Sequence, residues 1–282
     1  MASRVETRLI LLQVDLLTSI VDLAIVVAFA LVAIAARAID RRGFLASLLV
    51  GYPILLGGGW TWFVIVATFF VLGVAFTWYR YEYKKSLGSA QEKGGTRNWP
   101  NILANGGVAA LLGFAEFFGG GLLFSVLYVG AVSAAASDTV ATELGLLNKS
   151  PPRLITDPRK AVSPGTSGGV SPMGFAGTLL ASALIGGVAA LLGVANGLQA
   201  PYVVAVSVVG GLVGSVADSV AGATFQRKSY CVVCGKPSEG LIHCGEATRF
   251  SSGIRFVDNH VVNVLATVFG ALGSAGLFLI LQ

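Results

Sequence analysis

Apolar side chains occupy the chain in long runs, most of them close to twenty residues in length and with few charges. As an α-helix, a run of that length spans the hydrocarbon core of a bilayer, because each residue rises about 1.5 Å. Polar and apolar residues do not alternate in units of about ten, which disfavours a transmembrane β-barrel. The pattern predicts an all-α polytopic membrane protein with about eight transmembrane helices. The predicted segments are residues 13–36, 43–58, 60–79, 101–118, 121–138, 174–195, 201–222 and 260–281.

The composition strengthens this prediction. Hydrophobic residues make up 55% of the chain and charged residues 12%, whereas soluble domains contain about 25% charged residues. The 37 glycines suit helices that pack closely in lipid, where small residues let two backbones approach. Asp15 and Asp22 share one face of the first segment, and acids within the membrane are candidates for function. The alternative is that they face the bundle or a partner subunit, which leaves a homodimer open. These acids, and the absence of a small-residue cleavage site, argue against a cleaved signal peptide.

Lysine and arginine lie almost entirely on one side of the predicted segments. Every basic residue except Arg4 and Arg8 falls in a loop that follows an odd-numbered segment. The positive-inside rule makes this side cytoplasmic and places both termini on the other side of the cell membrane. The net charge of +5 is explained by this distribution, so no nucleic-acid partner is expected.

Part of the sequence repeats after 80 positions. The eight residues from Gly106 to Gly113 recur unchanged from Gly186 to Gly193, and Asp138 recurs as Asp218. We interpret this as an internal duplication of a two-helix unit, although a chain rich in Gly, Ala, Val and Leu also produces chance matches. The expected organisation is an N-terminal membrane region with a cytoplasmic loop, residues 1–96, followed by a catalytic membrane core, residues 97–282. The core contains the duplicated helix pairs 101–143 and 181–223.

Each copy ends in an aspartate followed by a hydroxyl residue. Two membrane crossings separate Asp138 from Asp218, so both reach the cytoplasmic face, where they form a candidate catalytic site. Glu143 follows Thr139 on the same helix face. Carboxylate oxygens at this density suit Mg²⁺, whose coordination is completed by substrate phosphates. The predicted Mg²⁺ ligands are therefore Asp138, Asp218 and Glu143, and the neighbouring hydroxyls assigned to phosphate binding are Thr139 and Ser219.

A glycine-rich, basic stretch lies between the two copies. Backbone N–H groups of such a loop can surround a phosphate, and the following helix favours the anion. The Gly-Lys-Ser/Thr run of a Walker A loop is missing, and an ordinary linker has a similar composition. The predicted phosphate-binding residues are Gly165, Thr166, Ser167, Gly168 and Gly169, with Lys160 as a catalytic cation.

Two predicted helix starts on the same face carry further polar residues. Arg97, Asn98 and Asn105 surround one start, where an interface-anchored helix cap is the alternative to ligand binding. Asn259 and Asn263 lie one turn apart at the other start. We assign these five residues to nucleotide or phosphate binding.

All three cysteines fall in a small cytoplasmic insertion, residues 226–257. Cys231-x-x-Cys234 is followed by His243-Cys244, and three cysteines with one histidine form an accepted zinc ligand set. The spacing is tighter than in common zinc fingers. Reduced thiols without a metal are the alternative on the cytoplasmic side.

These motifs resemble an integral membrane family that includes plant phytyl-phosphate kinase and transmembrane protein 19. The resemblance covers roughly residues 95–265. Its motifs, in chain order, are Arg97 to Gly106, Ser137 to Gly145, Gly165 to Ser171, Gly214 to Gln226, the Cys/His stretch, and Asn259 to Asn263. Asp138 and Gly145 are also similar to the Asp-containing helix motif of dolichol kinase and CDP-diacylglycerol synthase.

The resemblance implies a CTP-dependent, Mg²⁺-dependent kinase that phosphorylates an isoprenoid monophosphate to the diphosphate at the cytoplasmic membrane face. Two alternatives stay open. Repeats and intramembrane acids are common in cation-coupled transporters, although the acids here lie at a boundary and the copies are parallel. A lipid cytidylyltransferase would instead retain the CMP moiety on its lipid product.

Overall fold

The computed structural model describes residues 16–89, 92–235, 237–238 and 241–281. In this part of the chain, eight α-helices are joined by segments that contain short strands and one 3₁₀ turn, Glu92–Gly95. The helices are α1 (Leu16–Ala35), α2 (Arg41–Trp78), α3 (Tyr81–Ser86), α4 (Trp99–Glu116), α5 (Leu122–Gly145), α6 (Pro172–Leu191), α7 (Ala200–Thr224) and α8 (Asn259–Ile280). The strands are β1 (Arg153–Leu154), β2 (Asp157–Ala161), β3 (Gly169–Val170), β4 (Lys228–Tyr230), β5 (Pro237–Ser238), β6 (Ile242–His243), β7 (Glu246–Ala247) and β8 (Arg249–Ser252).

The fold is mostly helical, as the hydrophobic pattern predicts. Among the described residues, six helices are long and apolar enough to cross a membrane, namely α1, α2, α5, α6, α7 and α8. The expectation of an all-α chain needs one correction, because β1–β3 and β4–β8 form small sheets in the two longest connecting segments. The number of membrane crossings stays a prediction.

Helix α2 reverses direction at Gly59, which has a φ of 65° and a ψ of −168°. A Cβ at Gly51 would lie 3.3 Å from the ring of Phe63, whereas twelve residues of straight helix span about 18 Å. The two arms, residues 41–58 and 60–78, therefore pack against each other. They correspond to two of the predicted segments, and the positive φ explains why a glycine stands at the turn.

Helices α5, α7 and α8 meet at three glycines. A Cβ at Gly210 would lie 2.8 Å from the Cα of Gly130 and 2.9 Å from the carbonyl oxygen of Gly270. Real side chains do not fit in so short a separation, so only glycine permits this contact. Helix α5 is central in the bundle, since 72% of its apolar span is buried.

Buried serines connect the same helices by hydrogen bonds. Ser133 donates to the carbonyl of Ser207, whose hydroxyl donates to the carbonyl of Ser182, each at 2.7 Å. Ser274 of α8 donates to the carbonyl of Val206 at 2.7 Å. Because lipid chains are as apolar as leucine, close packing and hydrogen bonds of this kind hold membrane helices together.

The structure places several positions that are 80 residues apart against each other, as with Gly130 and Gly210. The second helices of the two proposed copies, α5 and α7, nearly coincide at this offset. The first helices do not, because α4 starts at Trp99, which corresponds to residue 179, whereas α6 starts at Pro172. The duplication stays a prediction.

Replacing Gly210 by valine should destabilise the bundle, because the new Cβ would lie 2.3 Å from the hydroxyl oxygen of Ser274. We expect a loss of about 1–3 kcal/mol or more, the usual cost of overpacking. Gly187→Val is the matched control, since a Cβ there meets nothing within 4 Å. The measurement is thermal unfolding in detergent, and equal melting temperatures for the two variants would contradict the proposed contact.

Candidate functional site

Asp138 and Asp218 lie beyond a close contact between α5 and α7. A Cβ at Gly214 would lie 2.3 Å from the Cβ of Ala134, so these two residues touch across the helix pair. Each aspartate follows its contact residue by four positions, about one helical turn on the same side of its helix. Both aspartates are half-buried. The two carboxylates therefore lie at the same level of the bundle. They are next to the line of contact between α5 and α7 at Ala134 and Gly214, which we call the seam.

Helix α8 brings asparagine to this level from the opposite chain direction. A Cβ at Gly214 would also lie 2.9 Å from the carbonyl oxygen of Ala266. Asn263 is buried, and it lies about one turn before this contact, towards the start of α8. Asn259 lies a further turn along, where Asp258 caps the helix by accepting hydrogen bonds from the N–H groups of His260 and Val261.

The glycine-rich loop packs against the end of α7. Strands β1, β2 and β3 form a three-stranded antiparallel sheet, and the loop connects β2 to β3. A Cβ at Gly168 would lie 2.6 Å from the Cβ of Ala223, and one at Gly222 would lie 3.0 Å from the backbone N of Gly168. The loop therefore lies one turn beyond Asp218. Lys160 is exposed in β2.

Arg97 is buried at the start of α4, with only 5% of its surface exposed. Its backbone N–H donates to the carbonyl of Ala38, and its carbonyl accepts from the N–H of Asp40. The guanidinium carbon lies 5.4 Å from the ring centre of Phe69 and 5.7 Å from that of Phe70. Burial lowers the pKa of Arg97 to about 10, and the nearby carboxylate of Glu143 acts in the opposite direction. The side chain is therefore a cation at neutral pH.

The two asparagines beside Arg97 have structural partners. Asn98 caps α4, since its side chain accepts a hydrogen bond from the N–H of Asn101 at 3.1 Å. Asn105 is buried and donates to the carbonyl of Asn101 at 3.0 Å. The capping interaction accounts for Asn98 without a ligand, as the alternative interpretation of this helix start expects.

Glu143 is held by two partners that the sequence pattern did not indicate. Its Oε2 lies 2.5 Å from Nζ of Lys84, and its Oε1 accepts from the hydroxyl of Thr77 at 2.9 Å. Lys84 is 1% exposed and also donates to the carbonyls of Phe76 and Thr77. Both carboxylate oxygens are therefore engaged, and Glu143 connects α5 to Thr77 at the end of α2 and to Lys84 in α3.

The sulfur atoms of Cys231, Cys234 and Cys244 lie within 4.8 Å of one another. Hydrogen bonding of the Cys244 thiol to Cys234, together with desolvation and with the hydrogen bond and negative charge of Cys231, raises the pKa of Cys244 to about 11. The side chain of His243 and all of Asp15 fall outside the described atoms. Among the described residues, this cluster is the one group of three or more thiols, imidazoles and carboxylates close enough to share a metal ion, so Asp138, Asp218 and Glu143 do not form such a group.

Comparison with known proteins identifies the family. The model of the integral membrane protein DUF92 family matches residues 24–271. The chain belongs to this family. No solved structure is significantly similar to it.

Three relatives of this DUF92 protein show how far the similarity extends. The uncharacterized membrane protein MJ0933 of Methanocaldococcus jannaschii is 32% identical over 208 residues, which cover 74% of the chain and 83% of the relative. Protein PGR of Arabidopsis thaliana is 28% identical over 255 residues, 82% of the chain and 85% of the relative. Protein VTE6, chloroplastic, also of Arabidopsis thaliana, is 28% identical over 239 residues, 83% of the chain and 63% of the relative.

The structure thus gathers most predicted site residues of this DUF92 protein near the ends of α5 and α7 and the start of α8. The gathered residues are Asp138, Thr139, Gly168, Asp218, Ser219, Asn259 and Asn263. Thr166, Ser167 and Gly169 belong to the same loop as Gly168, whereas a Cβ at Gly165 would lie 2.6 Å from the hydroxyl oxygen of Ser89, after α3. Arg97 and Asn105 lie at the α2–α4 side. Lys84 and Thr77 are the residues that sequence reasoning missed. Lys84 stands among other basic residues, such as Arg80 and Lys85, and nothing in the sequence distinguishes it from them as the buried one.

Replacing Lys84 by methionine should strongly destabilise the protein, because it leaves the buried carboxylate of Glu143 without its cation. Breaking a buried pair from one side costs about 3–5 kcal/mol. Lys85→Met is the control, because Lys85 lies 3.8 Å from Glu82 and both side chains are exposed. Chemical unfolding in detergent would show whether the two variants differ. Equal stability would mean that the buried pair has no structural role.

Proposed function

We propose that this DUF92 protein is a membrane kinase that uses CTP to phosphorylate an isoprenoid monophosphate to the diphosphate. The observation that carries the proposal is the seam between α5 and α7. The contact of Ala134 with Gly214 sets two carboxylates at one level, beside a glycine-rich loop that packs on Ala223. The resemblance of these motifs to the family that includes phytyl-phosphate kinase supplies the reaction class and the nucleotide.

The donor atoms at the seam fit a magnesium ion. Asp138 and Asp218 are half-buried carboxylates, and the amide oxygen of Asn263 belongs to the same level of the bundle. Mg²⁺ is commonly held by one or two carboxylates with substrate phosphates, which matches this set. Asp138 and Asp218 would hold the ion, and when bound it would neutralise charge on the phosphates. Glu143 would support the site indirectly, because its contacts with Lys84 and Thr77 hold the end of α5 in place.

Positive charge and amide donors are needed because two anionic phosphates must approach each other. Backbone N–H groups of the loop from Gly165 to Gly169 would hold the phosphates of the nucleotide, except those of Thr166 and Gly169, which donate to the carbonyls of Ser163 and Thr166. Lys160 is exposed in β2, ahead of this loop, and would meet the nucleotide from the cytosol. The guanidinium of Arg97 is a buried cation, and its attraction for a phosphate is stronger there than in water.

The reaction needs positioning more than it needs a chemical group from the protein. An oxygen of the acceptor phosphate forms a bond to the γ-phosphorus of CTP, and the bond from that phosphorus to the β-γ bridging oxygen breaks. The electron pair leaves with CDP, and the products are CDP and a lipid diphosphate. The acceptor oxygen is already anionic, so neither a covalent nucleophile nor a general base is required.

An apolar cavity suits part of the acceptor chain. It measures about 70 Å³ and lies between α1, the two arms of α2 and the start of α4. Its wall is formed by side chains such as Val26, Phe63 and Phe70, and its polar members include Arg97 and Asn105. A lipid phosphate with its chain in this cavity would have a buried cation within reach of its head.

Asp138→Asn and Asp218→Asn should each lower phosphoryl transfer about 100-fold or more, equivalent to about 2.7 kcal/mol, because each removes a charged metal ligand. Asp157→Asn is the control, since Asp157 is exposed in β2. The assay uses purified protein in detergent with CTP labelled at the γ-phosphate and a prenyl monophosphate. Near-normal transfer by either folded seam variant would remove the basis of the proposal.

The same assay separates the three reaction classes. A kinase transfers the γ-label to the lipid without any sealed compartment. In a parallel reaction with CTP labelled at the α-phosphate, a cytidylyltransferase instead transfers that label and yields a CDP-lipid. A cation-coupled transporter gives neither product in detergent, so the absence of both would overturn the proposed kinase.

Filling the apolar cavity should weaken binding of the acceptor. Ala67→Phe adds a ring to the cavity wall and should raise the KM for a long prenyl phosphate about tenfold, or about 1.4 kcal/mol, with the KM for CTP unchanged. Val71→Phe, on the exposed side of the same arm, is the control. Equal KM values for the lipid in both variants would place its chain elsewhere.

A further inference from the structure

The insertion between α7 and α8 contains a group of thiols that the proposed phosphoryl transfer does not use. The sulfur atoms of Cys231, Cys234 and Cys244 lie within 4.8 Å of one another. In a tetrahedral zinc site with Zn–S bonds of about 2.3 Å, neighbouring sulfurs lie about 3.8 Å apart. The three thiols are thus already close to the separation that a shared ion requires.

The first cysteine turn has a backbone arrangement that supports a thiolate. Sγ of Cys231 accepts hydrogen bonds from the N–H of Val233 at 3.4 Å and from the N–H of Cys234 at 3.5 Å. Cys231 is only 1% exposed, so these donors reach a buried sulfur. Donors of this kind stabilise negative charge on a ligand and fix its orientation.

The second cysteine turn is held in an uncommon conformation. Cys244 has a φ of 53°, in the left-handed region that non-glycine residues rarely adopt, and Gly245 follows with a φ of 82°. Such a conformation persists where its surroundings determine it. Here it coincides with the place where Cys244 approaches the other two sulfurs, although the chain separates it from Cys234 by nine residues.

We propose that Cys231, Cys234 and Cys244 bind one Zn²⁺ ion through their thiolates, with His243 as the fourth ligand. Three cysteines and one histidine form a complete structural set, so the ion would have no open position for a reaction. The site is independent of the proposed kinase activity, because it rests on the geometry of the three cysteines and, for His243, on the sequence alone.

The position of the insertion gives this ion a structural role. The N–H of Arg227 donates to the carbonyl of Val257 at 2.7 Å, and that of Ile254 donates to the carbonyl of Phe225 at 2.8 Å. Strand β4, which pairs with β8, ends directly before Cys231. The insertion thus joins the end of α7 to the start of α8. The zinc ion would hold the turn that contains Cys231 and Cys234 against the turn that contains Cys244.

The first test is metal analysis of the full-length protein purified without chelators. We expect about one zinc per chain, and we expect Cys231→Ser and Cys244→Ser to lose most of it. Val233→Ser is the control, because Val233 is exposed beside the ligands without offering a sulfur. Wild-type protein that is folded by circular dichroism but contains no zinc after growth in zinc-supplemented medium would overturn the proposal.

The second test uses the wild-type protein, so it remains informative if the cysteine variants fail to fold. Cobalt substituted into the wild-type protein should give the absorption of a tetrahedral site with three sulfur ligands and one nitrogen ligand, whereas an octahedral spectrum would contradict it. His243→Ala should weaken the retention of zinc against a competing chelator. In the cobalt-substituted variant, the charge-transfer absorption from the cysteine sulfurs to cobalt should remain. Retention equal to the wild type would exclude His243 as the fourth ligand. A Cys231–Cys234 disulfide found by mass spectrometry would overturn the site itself.

Discussion

The closest contacts between helices determine where the polar residues of this protein can meet. In lipid, apolar side chains gain little by leaving their surroundings for one another, so helices associate through dense packing and internal hydrogen bonds. The crossing of α5, α7 and α8 satisfies this condition with Gly130, Gly210 and Gly270, and with the serines that bond to facing carbonyls. Because a helix is rigid over one turn, the spacing at this crossing also fixes the separation of residues a few positions away. The carboxylates of Asp138 and Asp218 lie one helical turn beyond the contact of Ala134 with Gly214, so their separation is fixed in this way.

The second constraint is charge balance at the buried end of the bundle. Lys84 and Arg97 are both almost fully buried, yet Glu143 is the carboxylate that acts on both of them. A cation in such a place is costly unless an anion or a π-face accompanies it. Phe69 and Phe70 supply π-faces for Arg97. An anionic head group brought to this side would improve the balance, which is the electrostatic reason to expect phosphate there.

The 80-residue offset places Asp138 and Asp218 at equivalent positions of α5 and α7, and the grouping of a site around them stays a prediction. As the structure confirms, the sequence pattern predicts a mostly helical chain. It could not reveal which basic residue is buried: Lys84 and Lys85 are adjacent, and only packing against α5 distinguishes them. It also missed the strands around the glycine-rich loop, because β1 and β3 are two residues long and carry no alternation. The turn at Gly59 coincides with the gap between the predicted segments 43–58 and 60–79, because two apolar runs meet there.

The two non-helical segments of the core both converge on the end of α7. The glycine-rich loop follows α5 but packs on Gly222 and Ala223, and the cysteine insertion bonds to Phe225 and Arg227. Only 33% of the apolar span of α7 is buried within the protein, against 72% for α5, so α7 lies nearer the outside of the bundle. Contacts at its end therefore have a larger share in fixing Asp218 than equivalent contacts would have for Asp138. If the two proposed copies arose from one unit, their difference is understandable in these terms: one copy already lies in the core, and the other requires the loop and the insertion to keep its carboxylate at the same level.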